Sequence, residues 1–307
     1  MDIIKGKLTE PTSPGLKALA ESLLEGHEES IEALLFYGSC LRSGDEFDGV
    51  ADVYVVVKDY SSYYKGSIPA FFNWLLPPNV YYKEVQFGKK RLSAKYAVIS
   101  LKQLEEATSP RWFHSYFWAR LCQPSRLLYV KDDDTLARMA TCVANSIATF
   151  VARVVPCLSS PFSIEELWKK GLELTYRAEI RPEGRERAIS IFELNRSYFK
   201  MVTPHVLRRV RGNTWSVQHK GGDFYILKGQ CHPFWSCRLP WKLRMVIGKV
   251  LSGLRLIKAT WTFSGSVDYA IWKIERHTGV RMELSPFLRR HPVLAMFFAS
   301  WQLISRP

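Results

Sequence analysis

The chain has 307 residues, 47% of them hydrophobic, with 10 Trp, 14 Tyr and 17 Phe, which is ample for packed cores and excludes a disordered chain. Its net charge of +14, from 43 Lys and Arg against 29 Asp and Glu, favours an anionic partner: nucleic acid, a nucleotide or an acidic membrane surface. No apolar run approaches the roughly 20 residues of a membrane span, and Met1-Asp2-Ile3-Ile4-Lys5 lacks the apolar centre of a secretory signal.

Pattern and punctuation predict the elements in order. Thr12-Ser13 caps a first helix over Pro14–Leu24, and Ile31–Tyr37 reads as a strand ending at Gly38-Ser39. Arg42–Gly49 is polar and acidic, a loop. Val50–Val57 is rich in β-branched residues and is the clearest strand, with Asp52, Tyr54 and Val56 on one face. A helix over Pro69–Leu76 ends at Pro77-Pro78, followed by strands over Asn79–Phe87 and Lys95–Ser100. Ser109-Pro110 opens a helix over Arg111–Leu121, and Leu127–Val130 is a short strand.

From Thr135 the pattern is mainly helical: Thr135–Val154, Ser163–Thr175, Arg185–Val202, Pro240–Leu256 and Val267–Thr278, with a hairpin turn at Lys220-Gly221-Gly222-Asp223. The Lys-Asp-Asp-Asp run at 131–134 marks a boundary between domains 1–132 and 133–307. The fold class is therefore α+β: a mixed sheet with flanking helices, then a mainly helical domain. The six cysteines form no C-x-x-C pair and are expected as reduced thiols in a cytosol-like compartment.

The chemistry concentrates at Gly38-Ser39 and Asp52. A strand, a Gly-Ser turn, a loop and then a carboxylate-bearing strand is the layout of a nucleotidyltransferase fold. Gly38 lets backbone N–H groups approach phosphate, and Ser39 adds a hydroxyl donor. Asp52 would hold Mg²⁺ against a triphosphate. The usual second carboxylate of Asp-x-Asp is replaced by Tyr54, so another ligand is needed. Glu84, on a neighbouring strand, is the first candidate; Asp45 and Asp48 are further ones. A turn glycine with a capping serine and an edge-strand Asp is the structural alternative.

Three further segments carry a family resemblance. Lys95-Tyr96-Ala97-Val98-Ile99-Ser100, then Trp112 with Ala119-Arg120-Leu121-Cys122-Gln123-Pro124, then Leu174-Thr175-Tyr176-Arg177-Ala178-Glu179-Ile180-Arg181 follow one another in order. They resemble the corresponding segments of the mitochondrial-type phosphatidate cytidylyltransferases, the translocator assembly and maintenance family, of which this chain would be a distant bacterial-type relative. The resemblance covers roughly residues 34–185. It implies CMP transfer from CTP to phosphatidate, giving CDP-diacylglycerol and pyrophosphate, with Mg²⁺, and a winged-helix-like C-terminal domain.

Carried over by position, Gly38 and Ser39 would bind triphosphate and Asp52 would hold Mg²⁺; with Lys95, and with Glu84 added as the neighbouring-strand carboxylate, Asp52 would form the catalytic and metal set. Lys95 and Arg120 would neutralise phosphates, while Tyr176, Arg177, Glu179 and Arg181 would close the nucleotide site. The sequence departs from the family at Cys40, Ala97, Gln123, Ala178 and Glu179. A phosphatidate-using enzyme without a span is expected to be peripheral on the cytoplasmic face of the inner membrane. The basic groups Arg208-Arg209, Arg211, Lys242–Arg244 and Arg289-Arg290, and the apolar segment Pro292–Ile304, are candidate lipid contacts. Trp235, Trp241 and Trp261 read as core. The rival readings are a nucleotidyltransferase acting on nucleic acid or protein, and a nucleotide-binding module with decayed carboxylates.

Overall fold

A computed structural model describes residues 1–47, 49–179, 185–212, 214–229 and 234–262. Asp48, Arg181, Cys231, Val267–Thr278, Arg289-Arg290, Pro292–Ile304 and the Trp261 side chain lie outside the described residues. The chain opens with helices α1 (Asp2–Leu8) and α2 (Pro14–Leu24), the latter capped by the Ser13 hydroxyl. Strand β1 (Ile31–Tyr37), the short turn α3 (Ser39–Ser43) and strand β2 (Val50–Val57) follow. Helices α4 (Tyr60–Tyr64) and α5 (Ser67–Leu75) lead to strands β3 (Asn79–Phe87) and β4 (Lys90–Ser100). Next come α6 (Leu101–Thr108), α7 (Trp118–Leu121) and β5 (Ser125–Val130).

These strands make one mixed five-stranded sheet in the order β3-β4-β2-β1-β5. β2 and β4 run parallel, and the other neighbours are antiparallel. Both faces are covered, as the apolar runs Val53–Val57 and Ala33–Phe36 require. One face, with Leu34, Phe36, Val53, Val55 and Val98, packs under α2. The other, with Leu35, Tyr54, Val56, Ala97 and Ile99, packs on the helices that follow.

Those helices are α8 (Asp133–Val154), α9 (Ile164–Arg177), α10 (Arg185–Leu194), α11 (Arg196–Leu207) and α12 (Leu239–Thr262). A two-residue strand β6 (Phe162–Ser163) and the hairpin β7 (Trp215–Gly221) and β8 (Phe224–Gly229) form a second sheet in the order β6-β8-β7. The hairpin turns at Gly221-Gly222, as the glycine pair predicts. The architecture is therefore α+β, with a helical C-terminal part. One hydrophobic core runs across residue 132: Val56 and Ile99 of the sheet share it with Phe150, Trp168 and Phe199. Trp168 stacks between Phe150 at 4.5 Å and Phe199 at 4.0 Å.

Several elements depart from expectation, each for a physical reason. The helix expected over Arg111–Leu121 is only α7, because Arg153 takes the preceding carbonyls instead. Its guanidinium donates to the oxygens of Pro110 (2.9 Å), Trp112 (2.6 Å) and Phe113 (3.2 Å). The helix expected over Arg185–Val202 is two helices joined at Asn195, whose side-chain amide donates back to the Ile191 carbonyl at 2.8 Å. α8 is long and apolar enough to cross a membrane by length and composition, but 56% of its most apolar window is buried in the protein.

The expectation of reduced thiols is corrected at one pair. Cys157 and Cys237 form a disulfide across 80 residues of sequence, with Cα atoms 5.2 Å apart. The pairing is made by tertiary packing of the turn after α8 against the stretch Phe234–Arg238, which spacing alone does not reveal. Cys40, Cys122 and Cys142 are buried, and Cys122 and Cys142 are free thiols. The cysteine pattern thus gives no support for a reducing compartment.

Candidate active site

The sheet brings Gly38, Asp52 and Lys95 together toward one end of its three inner strands, called the nucleotide edge below. Antiparallel pairing sets Tyr37 opposite Asp52, and parallel pairing sets Asp52 beside Lys95. Paired residues share a face, so Tyr37, Asp52 and Lys95 project to the side that carries the main core. Below them Tyr54 stacks on Tyr37, with ring centroids 4.7 Å apart. Tyr54 therefore occupies the second position of the carboxylate motif as a core aromatic, fully buried, with its hydroxyl lacking a hydrogen-bond partner. Burial pushes the phenols of Tyr37 and Tyr54 far above their usual range, so both stay neutral.

Gly38 is dictated by Asp52. It has φ +95° and ψ −153°, backbone that side-chain-bearing residues scarcely adopt. A Cβ placed there would lie 2.6 Å from Asp52 Oδ2 and 3.2 Å from Asp52 Cβ. The carboxylate sits directly over the glycine backbone. Its side chain is 28% exposed, and Lys95 Nζ stands 3.8 Å from its Oδ1. Ser39 is exposed beside it at the start of α3. On the same turn, Arg42 reaches the Gln123 side chain at 3.5 Å, and Gln123 is itself fixed by donating to the Ala119 carbonyl at 2.8 Å.

Arg120 and Glu179 meet in a bidentate pair, with both N–O distances 2.7 Å and both side chains nearly closed off from solvent. Burial opposes the charge on Arg120, but Glu179, Tyr116 and Tyr54 outweigh it, so the guanidinium stays charged. The Tyr116 ring carries Arg120 at 3.9 Å and Arg255 of α12 at 4.0 Å. Two guanidinium groups cannot share one face at that distance, so the ring is sandwiched between them. Arg255 donates through Nε to the Pro77 carbonyl at 2.8 Å. In a sequence, Arg255 looks like an ordinary solvated helix residue, and no spacing marks it.

Other expected residues lie elsewhere. Glu84 does not approach Asp52, because β4 lies between their strands. Glu84 pairs with Ser93, and Asp52 with Lys95. That offset is roughly 10 Å across the sheet and about 7 Å along it. Glu84 is instead held by Arg91 at 3.2 Å and the Tyr82 hydroxyl at 2.7 Å. Asp45 accepts from the Phe47 amide within its own loop at 2.9 Å. Arg177 is exposed and faces Glu173 at 3.7 Å. Tyr176 is half-buried against the core. Trp241 is core, whereas Trp235 is exposed, and Arg244 is buried over Phe113 rather than free to meet lipid.

The donor set decides what metal chemistry fits. Among the described residues, no three His, Cys, Asp or Glu side chains converge to hold a metal. One open carboxylate beside a lysine does not make a protein cage. It does suit Mg²⁺, which is commonly bound through one or two carboxylates together with substrate phosphates. No family model matches the chain, and no curated protein matches it.

Proposed function

We propose that this chain is a nucleotidyltransferase of the phosphatidate cytidylyltransferase type, moving CMP from CTP to phosphatidate at an anionic membrane surface. The observation that carries the reading is convergence. The Gly38-Ser39 turn, Asp52, Lys95, the Arg120–Gln123 segment and Glu179 are far apart in sequence, yet they gather at one sheet edge. The mixed sheet and the order β6-β8-β7 beside α9–α11 accord with a nucleotidyltransferase domain followed by a winged-helix-like one.

In this reaction a phosphate oxygen of phosphatidate attacks the α-phosphorus of CTP. The bond from that phosphorus to the bridging oxygen of the β-phosphate breaks, and pyrophosphate leaves. Mg²⁺, bound through Asp52 and the triphosphate, would offset charge on the attacking and leaving oxygens. The chain's own part is positioning and charge. Gly38 admits the Asp52 carboxylate against its backbone at the triphosphate site, and the Ser39 hydroxyl donates to the triphosphate. Lys95 supplies a cation beside Asp52. Glu179 holds the Arg120 guanidinium in place beside the Tyr116 ring, so it needs no reorganisation. The stacked rings of Tyr37 and Tyr54 support Asp52 from below.

The test is incubation with Mg²⁺, each labelled nucleoside triphosphate and phosphatidate vesicles. The expected product is a CTP-dependent lipid-linked nucleotide, lost by about 100-fold or more in Asp52→Asn. Label in RNA or protein instead of lipid would replace the acceptor, and full activity in Asp52→Asn would remove Asp52 from the metal site.

A further inference from the structure

The charges assembled at the nucleotide edge cancel in pairs. Lys95 Nζ stands 3.8 Å from Asp52, and Arg120 meets Glu179 at 2.7 Å. An arriving triphosphate therefore meets two matched pairs rather than two open cations. Arg42, on the α3 turn, stands on the Gln123 side of this edge. On the Tyr116 side stands Arg255 of α12. Among the described residues, Arg255 has no carboxylate within ion-pairing distance. Its partners are the Tyr116 ring at 4.0 Å and the Pro77 carbonyl at 2.8 Å, both uncharged. Arg120, Arg255 and Glu179 together thus carry one net positive charge.

The Tyr116 ring is what lets two guanidinium groups stand so close. They lie 3.9 and 4.0 Å from its centre, hence at most about 8 Å from each other. Both faces of an aromatic ring carry the negative lobes of its quadrupole, so each face takes one cation. Burial works against the charge on Arg255, Tyr116 supports it and Arg120 opposes it. Arg120 is fixed by Glu179, by the ring and by the Tyr116 carbonyl, which accepts from its Nη1. The aromatic contacts continue beneath Asp52. Tyr116 meets Phe117 at 5.0 Å, Phe117 meets Tyr54 at 6.0 Å, and Tyr54 lies on Tyr37 at 4.7 Å. The second arginine therefore belongs to the same cluster as Asp52.

We propose that Arg255 sets the preference of this edge for a polyphosphate: held by the Tyr116 ring, it supplies the positive charge that Lys95 and Arg120 already share with carboxylates. The proposal rests on the reading of the edge as the Mg-CTP site. It adds to that reading a residue of α12 that no motif contains. Arg255 acts through its field, without touching the nucleotide. A phosphate oxygen beside Arg120 would lie about 12 Å from it, where a unit charge is worth roughly tenfold in affinity at an effective dielectric of about 20. Mg-CTP stays negative with one Mg²⁺ bound and gains from this field. The uncharged base and sugar do not.

The experiment is calorimetric titration of the full chain with Mg-CTP and, separately, with cytidine, at low and high salt. Arg255→Met is expected to weaken Mg-CTP binding about tenfold at about 50 mM salt, with the gap closing to about threefold at about 500 mM. Arg255→Gln, which keeps a donor for the Pro77 carbonyl, should behave as Arg255→Met does. Arg255→Lys keeps the charge and should return to within about threefold of the parent. Tyr116→Leu removes the shared ring and should weaken Mg-CTP binding about fivefold, and Tyr116→Phe should restore it. Cytidine should bind the parent and the Arg255 variants alike. Parental Mg-CTP affinity in Arg255→Met and Arg255→Gln overturns the proposal. So does a loss that is equal for cytidine, one that salt leaves unchanged, or one that Arg255→Lys does not relieve. The two readings fail separately. Mg-CTP binding that depends on Arg255 but leads to no CMP transfer removes only the enzymatic reading, whereas transfer and Mg-CTP affinity that these variants leave at parental level remove only the role of Arg255.

Discussion

Gly38→Ala isolates the contact on which the site depends. The new methyl would lie 2.6 Å from Asp52 Oδ2 and 3.2 Å from Asp52 Cβ, on backbone at φ +95°. The backbone term costs about 1–3 kcal/mol. Overpacking against Asp52 adds about 1–3 kcal/mol. The sum, about 4 kcal/mol, is a large share of the roughly 5–15 kcal/mol that a domain possesses. The protein has two escapes. If the carboxylate rotates away, some stability is retained but Asp52 no longer faces the phosphates. If β1 and β2 part at Tyr37 and Asp52, stability is lost outright.

Gly44 supplies the control, because it has φ +74° and nothing within 4 Å of its added Cβ. Gly44→Ala should cost about 1 kcal/mol from backbone alone. Urea denaturation of both variants, with Mg-dependent CTP binding by calorimetry, separates the contributions. The expectation is a gap of about 3 kcal/mol, or a CTP affinity at least tenfold lower in Gly38→Ala alone. Equal stability and equal CTP binding in the two variants would refute the packing of Asp52 on Gly38.

Three further outcomes are expected. Arg120→Ala removes the guanidinium that faces the largely buried Glu179 carboxylate and should destabilise by about 3 kcal/mol, whereas Arg120→Met with Glu179→Leu should return within about 1 kcal/mol, both read from denaturation midpoints. His114 is held down to about 3, by burial first and then by Arg255 and Arg153. The folded state therefore refuses a proton that the unfolded state accepts below about pH 6.5, so stability falls as pH drops from there. Between pH 7.5 and pH 5 the parent should lose about 2 kcal/mol more than His114→Leu, and equal losses would contradict a neutral buried imidazole. Reducing Cys157–Cys237, or replacing both by Ser, should cost about 4 kcal/mol for a loop of this length, measured as a lower urea midpoint.

How much could be read in advance depended on the range of the interaction. β1, β2 and β3 have the predicted bounds because alternation and β-branching are local, and the Gly38–Asp52 meeting follows once β1 and β2 pair. Glu84 went astray because neighbouring in sequence is not neighbouring in a sheet. β4 inserts itself between β2 and β3, and no local pattern encodes strand order. The shortened helix before α7 depends on Arg153, some 40 residues later, and the disulfide depends on a contact across 80. Arg255 was invisible for the same reason: a ring sandwiched by two arginines from distant elements has no sequence spacing of its own.

Gly248 gives α12 and the Arg120–Glu179 pair a common mechanical part. A Cβ at this position of α12 would lie 2.1 Å from the Ala178 carbonyl oxygen, so the helix backbone rests directly on the residue preceding Glu179. With no side chain to act as a cushion, α12 and the carboxylate that holds Arg120 cannot shift independently. A force that tilts α12 is felt at the nucleotide edge, and occupancy of that edge stiffens α12 by the same free energy. Gly248→Ala would insert a spacer at this contact, and α12 and the Arg120–Glu179 pair would then report on each other less faithfully.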